Sequence, residues 1–258
     1  MLTKVCRELY WCFILQFSAF LLFSCNHSEK KIVARFADGR PQVVYEFPDS
    51  NDTLTYTLKI LGPSGNLKQM AFVSHGMFVN KAVTYMDNGV PYRIDSLLAP
   101  CKSLKSCDEI RFIYNENGTP SQIYTVMNGV CEGNIKQYSQ NGTLIKSYNL
   151  IHDSVKNGEY LEFFNSGKIA FRAEYKNDTM VGIGYVFKEN GDSSRWFRFF
   201  KGHNDLPTKV WLDNGNTQIG DYLDDKKHAV IWKWHDKEGH EIRKQIEYAK
   251  HGSFVRPN

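Results

Sequence analysis

The chain has 258 residues, 32 Lys+Arg against 28 Asp+Glu for a net charge of +4, and 42% hydrophobic residues. That balance excludes a disordered, collagen-like or polytopic membrane chain. The mild charge comes with no basic run or face, which excludes the usual electrostatic footprint of a nucleic-acid binder. Length alone allows one or two domains.

Residues 1–24 read as an export signal. Lys4 and Arg7 make a positive start, and the apolar run from Trp11 to Phe23 falls short of the roughly 20 residues that cross about 30 Å of hydrocarbon. Leu22-Phe23-Ser24-Cys25 resembles the lipobox of bacterial lipoproteins, in which a Cys is acylated and becomes the new N-terminus. The resemblance implies a bacterial cell-envelope protein held in a membrane, the outer one by expectation, through an acylated Cys25; two or more acyl chains give stable anchoring. Residues 25–35 then form a polar tether and 36–258 a folded domain. Cys6 and Cys12 leave with the signal, so Cys101, Cys107 and Cys131 remain, and at most one bridge forms.

The rest of the chain is periodic. Turn-type dipeptides end at Gly39, Gly65, Gly89, Gly118, Gly142, Gly167, Gly191, Gly215 and Gly239, at intervals of 26, 24, 29, 24, 25, 24, 24 and 24. Asn-Gly and Asp-Gly supply the positive φ of a two-residue type I′ hairpin turn, so each glycine predicts a tight reversal. Four residues before the glycine stand Tyr85, Tyr114, Tyr138, Phe163, Phe187 and Trp211, while Trp234 lies five before Gly239, as if that turn had gained a residue. Six after it stand Tyr45, Tyr124, Tyr148 and Phe197. Strict alternation, as in Ile169, Phe171, Ala173 and Tyr175, marks half-buried antiparallel strands. Gly133, Gly158 and Gly182, nine before their turn glycines, suggest strand starts where the backbone bends.

The predicted fold is all-β: an elongated antiparallel meander of about nine stacked hairpins of roughly 24 residues, each marginal alone and stabilised by stacking. The aromatics are expected to share one dry seam. Gly158-Glu-Tyr-Leu-Glu-Phe-Phe-Asn-Ser-Gly167-Lys-Ile and Gly182-Ile-Gly-Tyr-Val-Phe-Lys-Glu-Asn-Gly191 resemble the MORN-repeat variant of YwqK-like antitoxins and bacterial MORN-repeat lipoproteins. That resemblance covers most of the chain after Cys25 and implies either a spacer or binding surface, or an antitoxin that neutralises a toxin.

Cys107 and Cys131 are 24 residues apart and occupy the same place in adjacent units. Two strand spacings of about 4.8 Å would hold them beyond disulfide reach. Cys101 to Cys107 is the candidate bridge, within the longest interval; a buried free thiol is the other reading.

Chemistry is not announced. There is no Gly-x-Ser-x-Gly elbow and no phosphate-binding loop before a helix. His228, His235 and His240 lack zinc spacing. His152-Asp153, Asp108-Glu109 and Asp224-Asp225 read as turn residues. Trp211, Trp232 and Trp234 form a candidate partner surface, with a ladder and a cap for the last open strand as the structural alternative. The expectation is a non-catalytic monomer without cofactor, metal or nucleic acid, binding an unidentified envelope protein or polysaccharide.

Overall fold

The computed structural model describes residues 28–223 and 229–248. The signal, Cys25, Asp224-Asp225 and His228 lie outside the described residues. Eighteen strands run in order: β1 (Glu29–Arg35), β2 (Pro41–Phe47), β3 (Thr55–Leu61), β4 (Leu67–Ser74), β5 (Met77–Tyr85), β6 (Pro91–Leu97), β7 (Glu109–Tyr114), β8 (Pro120–Met127), β9 (Val130–Tyr138), β10 (Leu144–Ile151), β11 (Val155–Phe163), β12 (Ile169–Lys176), β13 (Thr179–Phe187), β14 (Ser193–Phe200), β15 (His203–Trp211), β16 (Thr217–Tyr222), β17 (Ala229–His235) and β18 (Glu241–Tyr248). Among the described residues there is no helix. Each strand pairs antiparallel with its neighbours in the chain, from β1–β2 through β17–β18, so the sheet is one open meander of nine hairpins. The stretch assigned to a tether belongs to the sheet from Glu29 on, as β1 pairing with β2.

All nine turn glycines have positive φ, between 81° and 98°. The turn itself differs from the expected type I′. At Gly142, Ser139 N–H donates to the Thr143 carbonyl (2.8 Å) and Gly142 N–H to the Ser139 carbonyl (2.9 Å), and the same pair of bonds recurs at the other eight. This is a three-residue loop, a type I turn followed by a left-handed glycine. The residue before the glycine keeps negative φ in every case. Asn or Asp is chosen there for another reason: its side-chain oxygen accepts the N–H just past the glycine, as Asn117 does from Thr119 (3.0 Å) and Asn214 from Asn216 (3.0 Å). Gly239 closes the same loop, so its turn has gained no residue; His235 stands where other units carry an aromatic. True two-residue turns with both central φ positive lie at the other margin, at His75-Gly76, Asn128-Gly129, Asn177-Asp178 and Lys201-Gly202.

Gly133, Gly158 and Gly182 sit inside β9, β11 and β13 rather than at their starts, with φ of 81°, 99° and 71°, and pairing slips beside each. They are bulges, the left-handed residue absorbing the extra length. Asn80 (φ 62°) takes the equivalent place in β5.

Alternation and pairing place the two aromatic series on opposite faces, not on one seam. Tyr45, Tyr124, Tyr148 and Phe197 share face A, whereas Tyr85, Tyr114, Tyr138, Phe163, Phe187 and Trp211 share face B. On face A ring contacts run Tyr148–Tyr160 (6.1 Å), Tyr160–Phe171 (6.2 Å), Phe171–Phe197 (6.3 Å) and Phe197–Phe199 (5.1 Å). Among the described residues there is no second layer, and burial comes from side chains lying across neighbouring strands; one such cluster is Ala173, Phe197 and Phe199, flanked by Phe171, Met180 and Val186. Gly184 makes room for this cluster, since a Cβ there would meet the Phe199 ring at 2.8 Å, and Gly220 does the same for Trp232.

Candidate functional site

Face A is interrupted once. The connection between β6 and β7, residues 98–108, folds back over the sheet. Phe78 N–H donates to the Cys101 carbonyl (2.8 Å), Cys101 N–H returns a bond to the Phe78 carbonyl (3.0 Å), and Leu98 N–H donates to the Asp108 carbonyl (2.8 Å). Cys101 and Cys107 form a disulfide, their Cα atoms 5.6 Å apart. The Asp108 carboxylate accepts the Asn128 N–H (2.7 Å), tying the loop to the β8–β9 turn.

Beneath this roof the ladder gives way to charge. Asp95 and Glu109 are each 1% exposed. Arg93 donates to Asp95 Oδ2 (2.8 Å), and Arg111 Nε lies 3.0 Å from both Asp95 Oδ1 and Glu109 Oε1. Arg111 also reaches the Tyr124 hydroxyl (3.4 Å), with its guanidinium 5.6 Å from that ring. All are placed by period-two alternation on paired strands: Asp95 faces Arg111, and Arg111 faces Tyr124. Glu109 Oε2 is buried without a hydrogen-bond partner. Burial pushes the Glu109 carboxyl above the usual range, the Asp95 charge adds to this, and Arg111 opposes both. Burial works against the Arg111 charge, but its bonds to Tyr124 and Glu109 overcome that and push its pKa up.

Between roof and sheet lies a cavity of about 560 Å³. Gln69, Arg93, Glu109 and Arg111 line it from the sheet, and Lys102, Ser103 and Lys105 from the loop. Asp108-Glu109 is not the pair of turn carboxylates that its composition suggests: Glu109 opens β7 and lines the space under the loop. Nor do Cys107 and Cys131 occupy matching places. Cys107 is buried in the roof, while Cys131 is a free, half-buried thiol in β9 whose pKa is pushed up by burial and by Asp153.

The three tryptophans do not share a surface. Trp232 and Trp234 lie on face A, where Trp232 Nε1 donates to Glu247 (3.2 Å) and Arg243 sits 4.5 Å over the Trp234 ring. Trp211 lies on face B beneath Lys209, whose Nζ is 5.0 Å from the ring centroid. Against the expectation of no basic face, strand pairing aligns on face B a row of directly paired residues that the linear sequence scatters, Arg172, Tyr185, Trp196, Lys209, Ile219, Lys233 and Lys244, from β12 to β18. No carboxylate stands in that row, although Glu159 flanks Arg172 at 3.0 Å and Glu241 flanks Lys233 at 3.7 Å.

Among the described residues no group of three or more His, Cys, Asp or Glu is placed to hold a metal ion. Neither a protein-family model nor a curated protein matches the chain.

Proposed function

We propose that the chain is a non-catalytic protein of the bacterial cell envelope, anchored through an acylated Cys25, that binds an acidic polysaccharide along face B. The carrying observation is the paired row from Arg172 to Lys244, in which Tyr185 and Trp196 stand side by side between Arg172 and Lys209, with Lys233 and Lys244 beyond Ile219. Strands repeat every 4.7–4.9 Å or so, about the length of one sugar ring along an extended polymer. Aromatic faces take the C–H side of a sugar, and Lys or Arg on either side of them meets carboxylates or sulfates. The surface is open: Tyr185 is 37% exposed and Ile183 beside it 45%.

Gel retardation of the full chain in polygalacturonate and in dextran tests this. Polygalacturonate should retard it, and Trp196→Ala with Lys209→Glu should abolish the retardation while dextran has no effect. No retardation by polygalacturonate, or retardation unchanged in that variant, rejects the reading. Anchoring is checked separately: Cys25→Ser should move the protein from the membrane to the soluble fraction.

A further inference from the structure

We propose that the cavity between the disulfide-tied loop and the sheet binds a small hydroxylated anion, of the class of sugar acids and sugar phosphates. This site lies on face A, opposite the face B row, and stands or falls independently of it.

The first argument is the break in the repeat. Six residues after their turn glycines, four units place Tyr45, Tyr124, Tyr148 and Phe197 on face A and two place Ala71 and Ala173 there, all apolar or aromatic, whereas the unit of Gly89 places Asp95 on that face. Glu109 is added on the next strand, and both carboxylates are 1% exposed. Charges buried this way generally stabilise a fold no better than apolar side chains of similar size. An apolar side chain would have packed there as Ala71 and Ala82 do on the preceding strands, so the need for stability does not explain the quartet of Arg93, Asp95, Glu109 and Arg111.

The second is that the roof is fixed. A disulfide and a reciprocal pair of backbone bonds to Phe78 hold residues 101–107 over the sheet, leaving a preformed space of about 560 Å³. That is within the range of roughly 300–1,000 Å³ typical of small-molecule sites.

The third is chemical. Two arginines and two carboxylates on the floor balance each other, Arg93 and Arg111 being committed to Asp95 and Glu109. Lys102 and Lys105 on the roof are exposed and make no ion pair with a carboxylate among the described residues. The site is therefore positive by about two charges and selects an anion. Gln69 and Ser103 offer donors and acceptors for hydroxyl groups, while Phe78 and Val126 offer an apolar wall for a sugar's C–H face.

Calorimetric titration of the full chain in detergent, with D-glucuronate, glucose 6-phosphate, inorganic phosphate and D-glucose as separate probes, tests the assignment. Glucuronate or glucose 6-phosphate should bind, and whichever binds identifies a carboxylate or a phosphate as the anionic group. Lys102→Glu/Lys105→Glu, both at exposed positions, should weaken that binding at least tenfold with far-UV circular dichroism unchanged and polygalacturonate retardation retained. Four results would overturn the proposal: no binding of either sugar anion, glucose binding as tightly as its acid, inorganic phosphate binding as tightly as the sugar phosphate, or indifference to the double substitution.

Discussion

Arg111→Met is the sharpest probe of the charged floor. Methionine keeps the stem's volume but removes the charge and three contacts: Asp95 Oδ1 at 3.0 Å, Glu109 Oε1, and the Tyr124 hydroxyl at 3.4 Å. Arg93 still holds Asp95 Oδ2, whereas Glu109, whose Oε2 has no partner already, loses its last one. Hydrogen bonds to charged groups contribute about 1.5–3 kcal/mol, and stripping a partner from a buried charge costs about 3–5 kcal/mol. We expect a loss in that second range by urea denaturation at neutral pH. The loss is pH-dependent with a definite sign. Burial and Asp95 raise the Glu109 pKa, and Arg111 is the main group holding it down. Without Arg111 the folded pKa climbs further above the unfolded one. The folded variant then binds the proton more tightly, so its deficit is largest above the folded pKa and shrinks as pH falls toward the ordinary Glu range near 4.3. Adding Asp95→Asn and Glu109→Gln should recover most of the loss at neutral pH. An Arg111→Met protein within about 0.5 kcal/mol of the parent at neutral pH, no more than a surface substitution produces, would refute the reasoning.

Gly167→Ala should cost about 1–2 kcal/mol, because φ is +81° and no atom lies within 4 Å of the added Cβ, leaving only the left-handed strain; Gly167→Asn should cost less. Hydrogen exchange of β11 and β12 reads both, and unaltered protection in the alanine variant would contradict the turn geometry. Replacing Cys101 and Cys107 by Ser removes a link spanning six positions and should cost about 2 kcal/mol of loop-closure entropy. It should also speed tryptic cleavage at Lys102 and Lys105, and equal cleavage rates would show that the bridge does not hold the loop down.

The hairpins were legible because a left-handed glycine is a requirement of a single residue, visible nine times over. The turn type was not, since Asn or Asp before Gly suits both geometries; the negative φ of that residue and the backbone bond pair of the three-residue loop separate them. Face assignment failed for a related reason. After Tyr85 pairs with Pro91, Thr84 pairs with Arg93 and Tyr92 is left over, so counting residues across the turn loses its parity. Asp95 and Glu109 are buried only because residues 98–108 return across the sheet, a tertiary course that no local pattern encodes. One signal could have found the site: the 29-residue interval from Gly89 to Gly118, the longest between turn glycines, which leaves chain to spare for a return across the sheet.

Because every strand takes its strand partners only from the one before and the one after it, none must wait for a distant strand to be made or delivered. The chain can assemble in the order in which it emerges, each new ribbon docking on a template already complete. The expected consequence is fast, vectorial acquisition of structure from the N-terminal end, with the growing margin and the outer edge of β1 as the two adhesive edges.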